Sequence, residues 1–472
     1  MGNLSAPRAL AAADLKGNLH DVQDNIVAPI LMRYGRHIFF RFSDGARARA
    51  WLRDMMKRVN ARVSEHGTCF TVNIAFTHEG LKALGVSQRA LASFPEAFRA
   101  GMRARAHVVG DVGPHAPEHW EGGLGSPDIH AMGWIRTDTD AGRDEAMSII
   151  REHMDARGGV EIRFVQDTMA LAHANGIGSE GEHFGFADPI SQPPIEGAGA
   201  PFHPGDGVLE ADGTWRALKP GEFLLGYEDE AGTAGVQGPE PFELRLNGTY
   251  IVFRKLYQDV AAFRRYLAVA AKSLYGSDDA AQQERVAAKM MGRWRSGCPV
   301  DLSPDHDDAA IAADPARRNN FTYAGDDTGL RCPLGAHLRR SNPRATPLKR
   351  ATAVRRHRLL RRGVEYGPLL PEGVLQDDGV DRGLVNLFIQ ADIERQFEFV
   401  QKEWIKGGEF IGLDAGEHDP IVGAGGDGSQ MLVPGAKRPV LFDLPTFVRV
   451  KGGEYLFAPG LQALEGLIDR RF

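Results

Sequence analysis

Apolar and polar residues are arranged along the chain in blocks that predict short strands and amphipathic helices. Residues 37–42 (HIFFRF) and 71–76 (TVNIAF) predict two strands, because both are rich in β-branched or aromatic side chains. Four apolar residues are spaced as one face of a helix over residues 46–57: Ala48, Trp51, Leu52 and Met55. Residues 87–105 and 141–155 predict further helices. The first half of the chain therefore indicates an α+β unit.

The second half of the chain repeats this pattern with a longer interval between its strands. Residues 250–254 (YIVFR) predict a strand, and apolar residues at helical spacing follow it at Val260, Phe263 and Leu267. A partner strand is predicted only at residues 384–390 (LVNLFIQ), ahead of a helix with one apolar face: Ile393, Phe397, Val400 and Trp404. The interval between strands is about thirty residues in the first copy and more than a hundred in the second. We interpret this as a duplicated α+β unit whose second copy carries an insertion.

A long irregular connection is predicted between the two copies. Residues 193–242 contain seventeen Gly or Pro in fifty positions, which is too many for packed helices or strands. Connections of this length are usually functional or serve as linkers. The chain is therefore predicted to divide near this segment.

The insertion in the second copy carries the strongest charge feature of the sequence. Residues 331–362 contain eleven Lys or Arg and no Asp or Glu, although the whole chain has 56 basic and 62 acidic residues and a net charge of −6. Without these eleven, 45 basic residues stand against 62 acidic ones, so the remainder carries about −17. Such a concentration of positive charge predicts an anionic partner or a pocket for an anion.

Composition alone leaves three interpretations of residues 331–362 open. A solvated face would normally intersperse acidic residues. A nucleic-acid surface fits the charge, but Pro333, Pro343 and Pro347 interrupt any long recognition helix, and no aromatic side chain is present to stack on bases. A wall around an anionic cofactor would account for His337, which lies among the arginines.

Length and composition are those of an ordinary globular protein with two or three domains. The chain has 472 residues, of which 43 % are hydrophobic and 25 % charged. No window approaches the roughly 18 to 20 apolar residues of a membrane span, and the N-terminus lacks an apolar signal segment. Three cysteines without a CxxC pair favour neither a disulfide framework nor a zinc site: Cys69, Cys298 and Cys332. We expect a cytoplasmic location without membrane association.

Four segments carry a resemblance to a known family. They are residues 183–193 (HFGFADPISQP), 332–344 (CPLGAHLRRSNPR), 359–368 (LLRRGVEYGP) and 383–404 (GLVNLFIQADIERQFEFVQKEW). Together they resemble the signature segments of dye-decolourising peroxidases, above all the longer branch with fungal and some bacterial members. Further matching segments extend the resemblance in family order over nearly the whole chain: VNIAFTHEGLKALG, FPEAFRAGM, GEFLLGYEDEAG and NGTYIVFRKLYQDVAAF.

The resemblance implies an α+β fold made of two ferredoxin-like domains. Each would contain an antiparallel sheet with helices, and the two would form a barrel-like arrangement within one chain. We assign residues 1–235 to the N-terminal domain, which would supply the loop with the distal aspartate. Residues 236–472 would form the C-terminal domain and hold the implied cofactor, one haem b per chain.

On one side of the haem, the resemblance implies a single histidine ligand. His337 matches the family's proximal ligand, an arrangement that leaves the opposite axial position open to peroxide. Asp392 is predicted to accept the other ring N–H, with Glu394 as the fallback because neighbouring strand positions point to opposite faces. Arg340 is predicted to contact a haem propionate, since an arginine fork matches a carboxylate. Two apolar haem neighbours are predicted on the preceding strand: Leu387 and Phe388.

On the other side, the resemblance implies a catalytic aspartate paired with an arginine. Asp188 in GFADP and Arg361 in LLRRG occupy the matching positions. The carboxylate would move a proton between the two oxygens of H2O2, and the guanidinium would hold the carboxylate and stabilise developing charge. The family glycine after the aspartate is Pro189 here, which fixes its own φ and restricts Asp188 to extended geometry.

The expected function is a haem peroxidase that uses H2O2 to oxidise bulky organic or dye-like reducing substrates in one-electron steps. An alternative is a haem-binding or haem-handling protein with weak peroxidase turnover, because Pro189 could aim Asp188 differently. A nucleic-acid binder using residues 331–362 is a third hypothesis. We expect H2O2 and a small-molecule reductant as partners, neither nucleic acid nor membrane, and a homo-oligomer is compatible with the sequence.

Overall fold

Two sets of four strands form the framework of the protein. The computed structural model describes residues 9–59, 70–171, 181–188, 190–199, 202–232, 238–349, 352–414 and 416–472. In the first half the strands are β1 (Tyr34–Phe42), β2 (Phe70–Phe76), β3 (Ala131–Thr137) and β4 (Val160–Met169). In the second half they are β5 (Thr249–Gln258), β6 (Leu360–Tyr366), β7 (Gly383–Gln390) and β8 (Val448–Ala458).

The strands of both halves belong to one antiparallel sheet with an internal repeat. Its order is β4-β1-β3-β2-β8-β5-β7-β6. Within each half the fourth strand lies beside the first, followed by the third and the second, which is the ferredoxin-like arrangement. β8 joins the halves by pairing with β2 at Phe457 and Phe76. The duplicated α+β fold is therefore confirmed.

Helices pack against both halves of the sheet. The longer ones are α1 (Gly45–Met56), α2 (Asp140–Arg157), α3 (Val260–Tyr275), α4 (Ala280–Met291) and α6 (Leu461–Ile468), and α5 (His337–Ser341) is a short one. The remaining short helices are Ala12–Asn18, His78–Ala83, Gln88–Ala92, Glu96–Ala100, Phe242–Arg245 and Ala309–Ala313. The helix predicted after residue 393 consists of π-helical turns at Glu394–Glu398 and Val400–Lys406.

The sheet curls so that its two faces lie in different surroundings. β4 and β6, at its two ends, lie against each other and give the barrel-like arrangement. One face encloses a core that includes Phe39, Trp134, Phe253 and Leu387. On the outer face of the second half, the side chains of β5 to β8 lie beneath the long segment between α3 and β6. The candidate site is on this outer face.

The topology corrects the equivalence predicted between the two copies. Residues 384–390 form β7, the third strand of the second copy, whereas the true second strand is β6. β6 begins in the last three residues of the basic segment 331–362 and continues beyond it, so that Arg361 is a strand residue. The pattern also missed β3 and β4 of the first half. The prediction failed because β7 is more apolar than β6, whose sequence LRRGVEY reads as polar.

The connection between the halves is largely irregular, as predicted. Among its described residues are a hairpin of two-residue strands at Val208–Leu209 and Trp215–Arg216, a helical turn at Pro220–Glu222 and an isolated bridge between Ile195 and Leu218. The predicted domain boundary at residues 235 and 236 lies outside the described residues, and it stays a prediction, as does the cytoplasmic location. In the described ranges, no helix is long and apolar enough to span a bilayer.

Candidate active site

A cavity of about 370 Å³ lies on the outer face of the second half of the sheet, within the size range of ligand pockets. Its floor is formed by alternate residues of neighbouring strands, because side chains at every second position share one face. β6 contributes Arg361, β7 contributes Asn386 and Phe388, and β5 contributes Arg254. The loop ending at Asp188 and the helix α5 complete the walls.

His337 begins α5 and reaches this cavity with its imidazole ring. Its Nδ1–H donates to Oδ2 of Asp419 over 2.8 Å, and Asp419 is buried. Oδ1 of Asp419 accepts the backbone N–H groups of Ile421 and Val422, both at 2.9 Å. Burial alone would raise the pKa of Asp419, but the neighbouring His337 outweighs it and lowers that pKa. An ionised carboxylate therefore fixes the ring and leaves Nε2 directed at the cavity, without a partner among the described residues.

Asp392 and Glu394 do not serve this purpose, which corrects the predicted acceptor. Asp392 accepts the backbone N–H of Arg395 at 3.0 Å and so caps the following helical turn. Glu394 accepts the backbone N–H of Ala97 in the first half, at 3.2 Å. Both residues follow β7 where the chain turns away from the cavity, so neither carboxylate reaches His337.

Replacing Asp419 with asparagine is expected to weaken haem affinity by about 10- to 100-fold, the usual effect of losing a carboxylate behind a metal-bound histidine. The measurement is a titration of haem into purified protein, followed by its absorbance. The matched control is Asp392→Asn, which should titrate as the wild type does. The opposite ranking of the two variants would restore the acceptor predicted from the sequence.

Arg340 lies away from the cavity, contrary to the predicted propionate contact. The side chain is fully buried, and its guanidinium donates to the carbonyl groups of Gly335, Trp404, Gly407 and Glu417. These bonds tie α5 to the end of the π-helical segment and to the loop that carries Asp419. Three-residue spacing on a helix would place Arg340 on the same side as His337, but its long side chain extends into the protein interior, where the guanidinium is buried. Arg340 positions the His337–Asp419 pair.

The predicted apolar neighbours separate because they are adjacent strand residues. Phe388 lines the cavity. Leu387 points to the opposite face, where it belongs to the core with Phe253 and Tyr366. A strand cannot present consecutive side chains to one face, so Leu387 lies on the wrong face for the predicted haem contact, whereas the contact of Phe388 stays a prediction.

A tight loop positions Asp188 on the other side of the cavity. Glu182 is buried, and its carboxylate accepts the backbone N–H groups of Phe184 at 2.9 Å and Phe186 at 3.1 Å. Gln258 donates to the same carboxylate from β5. Gly185 has a φ of +95°, and a Cβ there would lie 2.6 Å from Nη1 of Arg295, so glycine suits this turn. Sequence reasoning missed Glu182, although it begins the segment EHFGFAD.

Asp188 and Arg361 form the predicted pair. Nη2 of Arg361 donates to Oδ1 of Asp188. Nη1 of Arg361 donates to Oδ1 of Asn386 over 3.2 Å. Gly363 leaves the room for this arrangement, because a Cβ there would lie 2.7 Å from both Nη1 of Arg361 and Oδ1 of Asn386. Asn386 is thus a third polar group on this side that sequence reasoning did not identify.

Buried carboxyl groups surround the pair. Burial raises the pKa of Glu365 to about 8, and the charges of Asp188 and Glu182 add to this effect. Glu365 is therefore mostly neutral near pH 7, so it does not repel the negative charge of the Asp188 carboxylate. Burial lowers the pKa of Arg361, but Asp188 outweighs it, so the pKa of Arg361 rises and its charge is secure.

Pro189, on which the alternative of weak turnover depended, lies outside the described residues.

A cluster of three arginines forms another wall of the cavity. This arginine group consists of Arg293, Arg344 and Arg358. Burial lowers the pKa of both Arg293 and Arg358 to about 10, which leaves them charged at neutral pH. Within the described part of the chain, none of the three forms an ion pair. Asp206 interacts with Arg344 and Arg358 at longer range, but charged groups buried without a direct ion pair favour an anionic ligand.

These features fit a haem. One face of the cavity presents a histidine nitrogen held in place by a buried carboxylate, and another presents a carboxylate and a guanidinium in contact. Phe388 and Leu384 supply apolar floor for a porphyrin. The arginine group offers positive charge for the acidic edge of the cofactor.

Comparisons with known proteins agree with this description. Residues 21–162 match a family model described as the DyP dimeric alpha+beta barrel domain. The chain is 30 % identical to Peroxidase 2 of Mycetinis scorodonius over 97 % of this chain and 89 % of that protein. It is 31 % identical to a dye-decolorizing peroxidase of Mycena epipterygia over 94 % of this chain and 86 % of the relative.

Solved structures give the same result. An ancestral D-type dye decolorizing peroxidase superposes with a TM-score of 0.80 at 28 % identity, over 96 % of this chain and 99 % of the other. A dye-decolorizing peroxidase in complex with 2,6-dimethoxyphenol superposes with a TM-score of 0.79 at 27 % identity, over 95 % and 99 %. Sequence and fold agree over almost the full length of both partners, and the chain therefore belongs to the dye-decolourising peroxidase family.

Proposed function

We propose that this peroxidase holds one haem b per chain in the cavity, with Nε2 of His337 as the protein ligand to iron. The observation that carries the proposal is the hydrogen bond between His337 Nδ1 and the buried carboxylate of Asp419. This bond fixes the ring and leaves Nε2 free at the cavity wall. When bound, the haem supplies the redox chemistry, taking two oxidising equivalents from H2O2 and passing them on to reductants one electron at a time.

The haem propionates would lie against the arginine group. Nη1 of Arg344 donates to the carbonyl groups of Gly205 and Phe321, both at 2.9 Å, and its other N–H groups have no acceptor among the described residues. Arg358 donates through Nη2 to the carbonyl of Asp206, at 3.1 Å. Both guanidinia therefore offer N–H donors at the cavity wall, whereas the guanidinium of Arg340 is buried away from the cavity.

Asp188 would move the proton on which peroxide cleavage depends. Its carboxylate takes a proton from one oxygen of H2O2 and returns it to the other, which leaves as water. Arg361 holds the carboxylate in place and stabilises negative charge on the separating oxygens. Asn386 restrains Arg361 from the floor, and Glu182 fixes the loop that ends at Asp188.

Phenols and dye-like aromatic compounds are the proposed reducing substrates. The structural neighbour that binds 2,6-dimethoxyphenol supports a phenolic substrate for this chain. A dye too bulky to enter a cavity of about 370 Å³ would have to deliver its electrons through residues at the protein surface. The alternative of haem handling with weak turnover is not favoured, because relatives that match over nearly the whole chain are named peroxidases.

The haem content of the purified protein tests the cofactor proposal. Alkaline pyridine should release a complex with the absorption bands of haem b, in an amount equal to that of protein chains. The same preparation should oxidise 2,6-dimethoxyphenol when H2O2 is added. A different haem type, or a ratio far from one in fully loaded protein, would contradict the proposal while leaving family membership intact.

A further inference from the structure

A second cationic part of the cavity lies apart from the arginine group. This cationic recess consists of His115, Arg254 and Lys406. His115 comes from a turn of the first half, Arg254 from β5, and Lys406 from the end of the π-helical segment. The recess therefore lies where the two halves of the chain meet.

His115 presents a hydrogen-bond donor that nothing in the described chain accepts. The backbone N–H of Val450, on β8, donates to Nδ1 of His115 over 3.3 Å. Burial lowers the pKa of His115 to about 4, with Lys406 adding to the effect, so the ring is neutral. A neutral imidazole that accepts at Nδ1 carries its proton on Nε2. That Nε2–H is buried and has no partner among the described residues, on a side chain that lines the cavity and is 1 % exposed.

Lys406 adds a positive charge that interacts with Asp111 and Asp419 only at longer range. Its aliphatic chain packs against Gly110, where an added Cβ would lie 3.2 Å from Cγ of Lys406. Its ammonium group forms no ion pair within the described ranges. By contrast, Arg254 is neutralised by Asp111, which accepts from both of its terminal nitrogens. The recess thus has a net charge of about +1 and two donors without acceptors.

The haem propionates cannot reach both cationic parts of the cavity. Arg358 lies two residues before the start of β6, whereas Val450, the partner of His115, lies on β8. These strands are three positions apart in the sheet, which corresponds to about 14 Å. Both propionates leave the same edge of a porphyrin, so propionates bound to the arginine group leave the donors of the recess without a carboxylate.

We propose that the cationic recess binds the carboxylate of a small organic acid. One carboxylate oxygen would accept the Nε2–H of His115 and the other would accept from the ammonium of Lys406. The carboxylate matches the two donors and the single net charge, and the apolar residues Val448 and Val450 suit an aromatic or aliphatic body. The assignment rests on the proposed haem site, because it requires the propionates to lie at the arginine group.

Calorimetric titration of the haem-loaded enzyme with benzoate tests this site. We expect saturable binding to the wild type, and binding at least tenfold weaker in Lys406→Met and in His115→Phe. Lys406→Arg should bind within about threefold of the wild type, because it retains the cation. Lys402→Met is the matched control on the same helical segment, since its exposed side chain points to solvent, and it should leave binding unchanged. Benzamide, which has the same shape without the charge, should bind at least tenfold more weakly than benzoate.

Three results would overturn the proposal. The first is no benzoate binding to the wild type, which would mean that the recess holds only water. The second is equal binding to the wild type and Lys406→Met, which would place benzoate elsewhere, such as at Arg361. The third is loss of haem from Lys406→Met, which would assign the recess to the propionates. Haem content, measured on the same samples, separates failure of this proposal from failure of the proposed haem site.

Discussion

Haem-loaded His337→Ala protein is expected to lose the wild-type Soret band and more than about 100-fold in peroxidase turnover, because losing the ligand itself should exceed the roughly 10- to 100-fold effect of losing a residue behind a metal ligand. The reason is that Nε2 of His337 is the nitrogen that the structure holds at the cavity wall, while Nδ1 is committed to Asp419. Absorbance of the loaded protein and the initial rate of 2,6-dimethoxyphenol oxidation measure the two effects. Added imidazole should restore part of both in the smaller His337→Gly variant, since it can occupy the vacated position.

The control for this prediction is the other histidine of the basic segment. His357 stacks on Phe399 with ring centroids 3.9 Å apart, its Nδ1 bonds to the carbonyl of Arg395, and its Nε2 bonds to the hydroxyl of Thr352. With both nitrogens engaged it is not available to iron, so His357→Phe should keep the Soret band. A normal band in His337→Ala, or its loss in His357→Phe, would exchange the two assignments.

The fold was predictable because burial on a sheet and on helices leaves periodic patterns. The strongly apolar strands β1, β2, β5 and β7 and the amphipathic helix α1 were identified from them. The polar strand β6 was not. It lies at the end of the sheet beside the cavity, so its alternate side chains, including Arg361, are chosen for the site rather than for packing. Hydrophobic periodicity therefore does not identify a strand whose side chains form the site.

The position of the carboxylate behind His337 could not be read from spacing. Asp419 lies 82 residues after His337 in an irregular loop, and no helix or strand period links the two. Asp392 was preferred because it follows a strand near the cavity, but that strand end is used for a helix cap. Side-chain partners joined across loops depend on tertiary packing, which periodicity does not describe.

The arginines of the basic segment show the same limit. Their concentration predicted a pocket for an anion, which stays a prediction, but it did not indicate which of them line the cavity. Arg339 and Arg340 are buried on Asp326 and on backbone carbonyl groups, respectively. Arg344 and Arg358 line the cavity instead. A guanidinium donates hydrogen bonds to backbone carbonyl groups as well as to carboxylates. Charge alone therefore does not distinguish an arginine with a structural role from one that binds a ligand.

Asp188→Asn is expected to lower the rate of H2O2-dependent turnover by about 10²- to 10⁴-fold while leaving the Soret band close to that of the wild type. The amide keeps the shape of the carboxylate but cannot take a proton from peroxide, and haem binding does not depend on it. Stopped-flow absorbance after mixing with H2O2 measures the step directly. Asp212→Asn, in an exposed turn, is the matched control and should react at the wild-type rate.

The pairing of Asp188 with Arg361 also predicts how the effects of changing both residues combine. Because Arg361 donates to Asp188 and both act on the same oxygens, their contributions should not add. Arg361→Leu alone should cost about 10²- to 10³-fold, and the double variant Asp188→Asn with Arg361→Leu should be little slower than the slower single variant. If the fold-reduction in the double variant equalled the product of the two single fold-reductions, the two residues would have independent roles. A wild-type rate in Asp188→Asn would show that the carboxylate takes no part in the proton transfer.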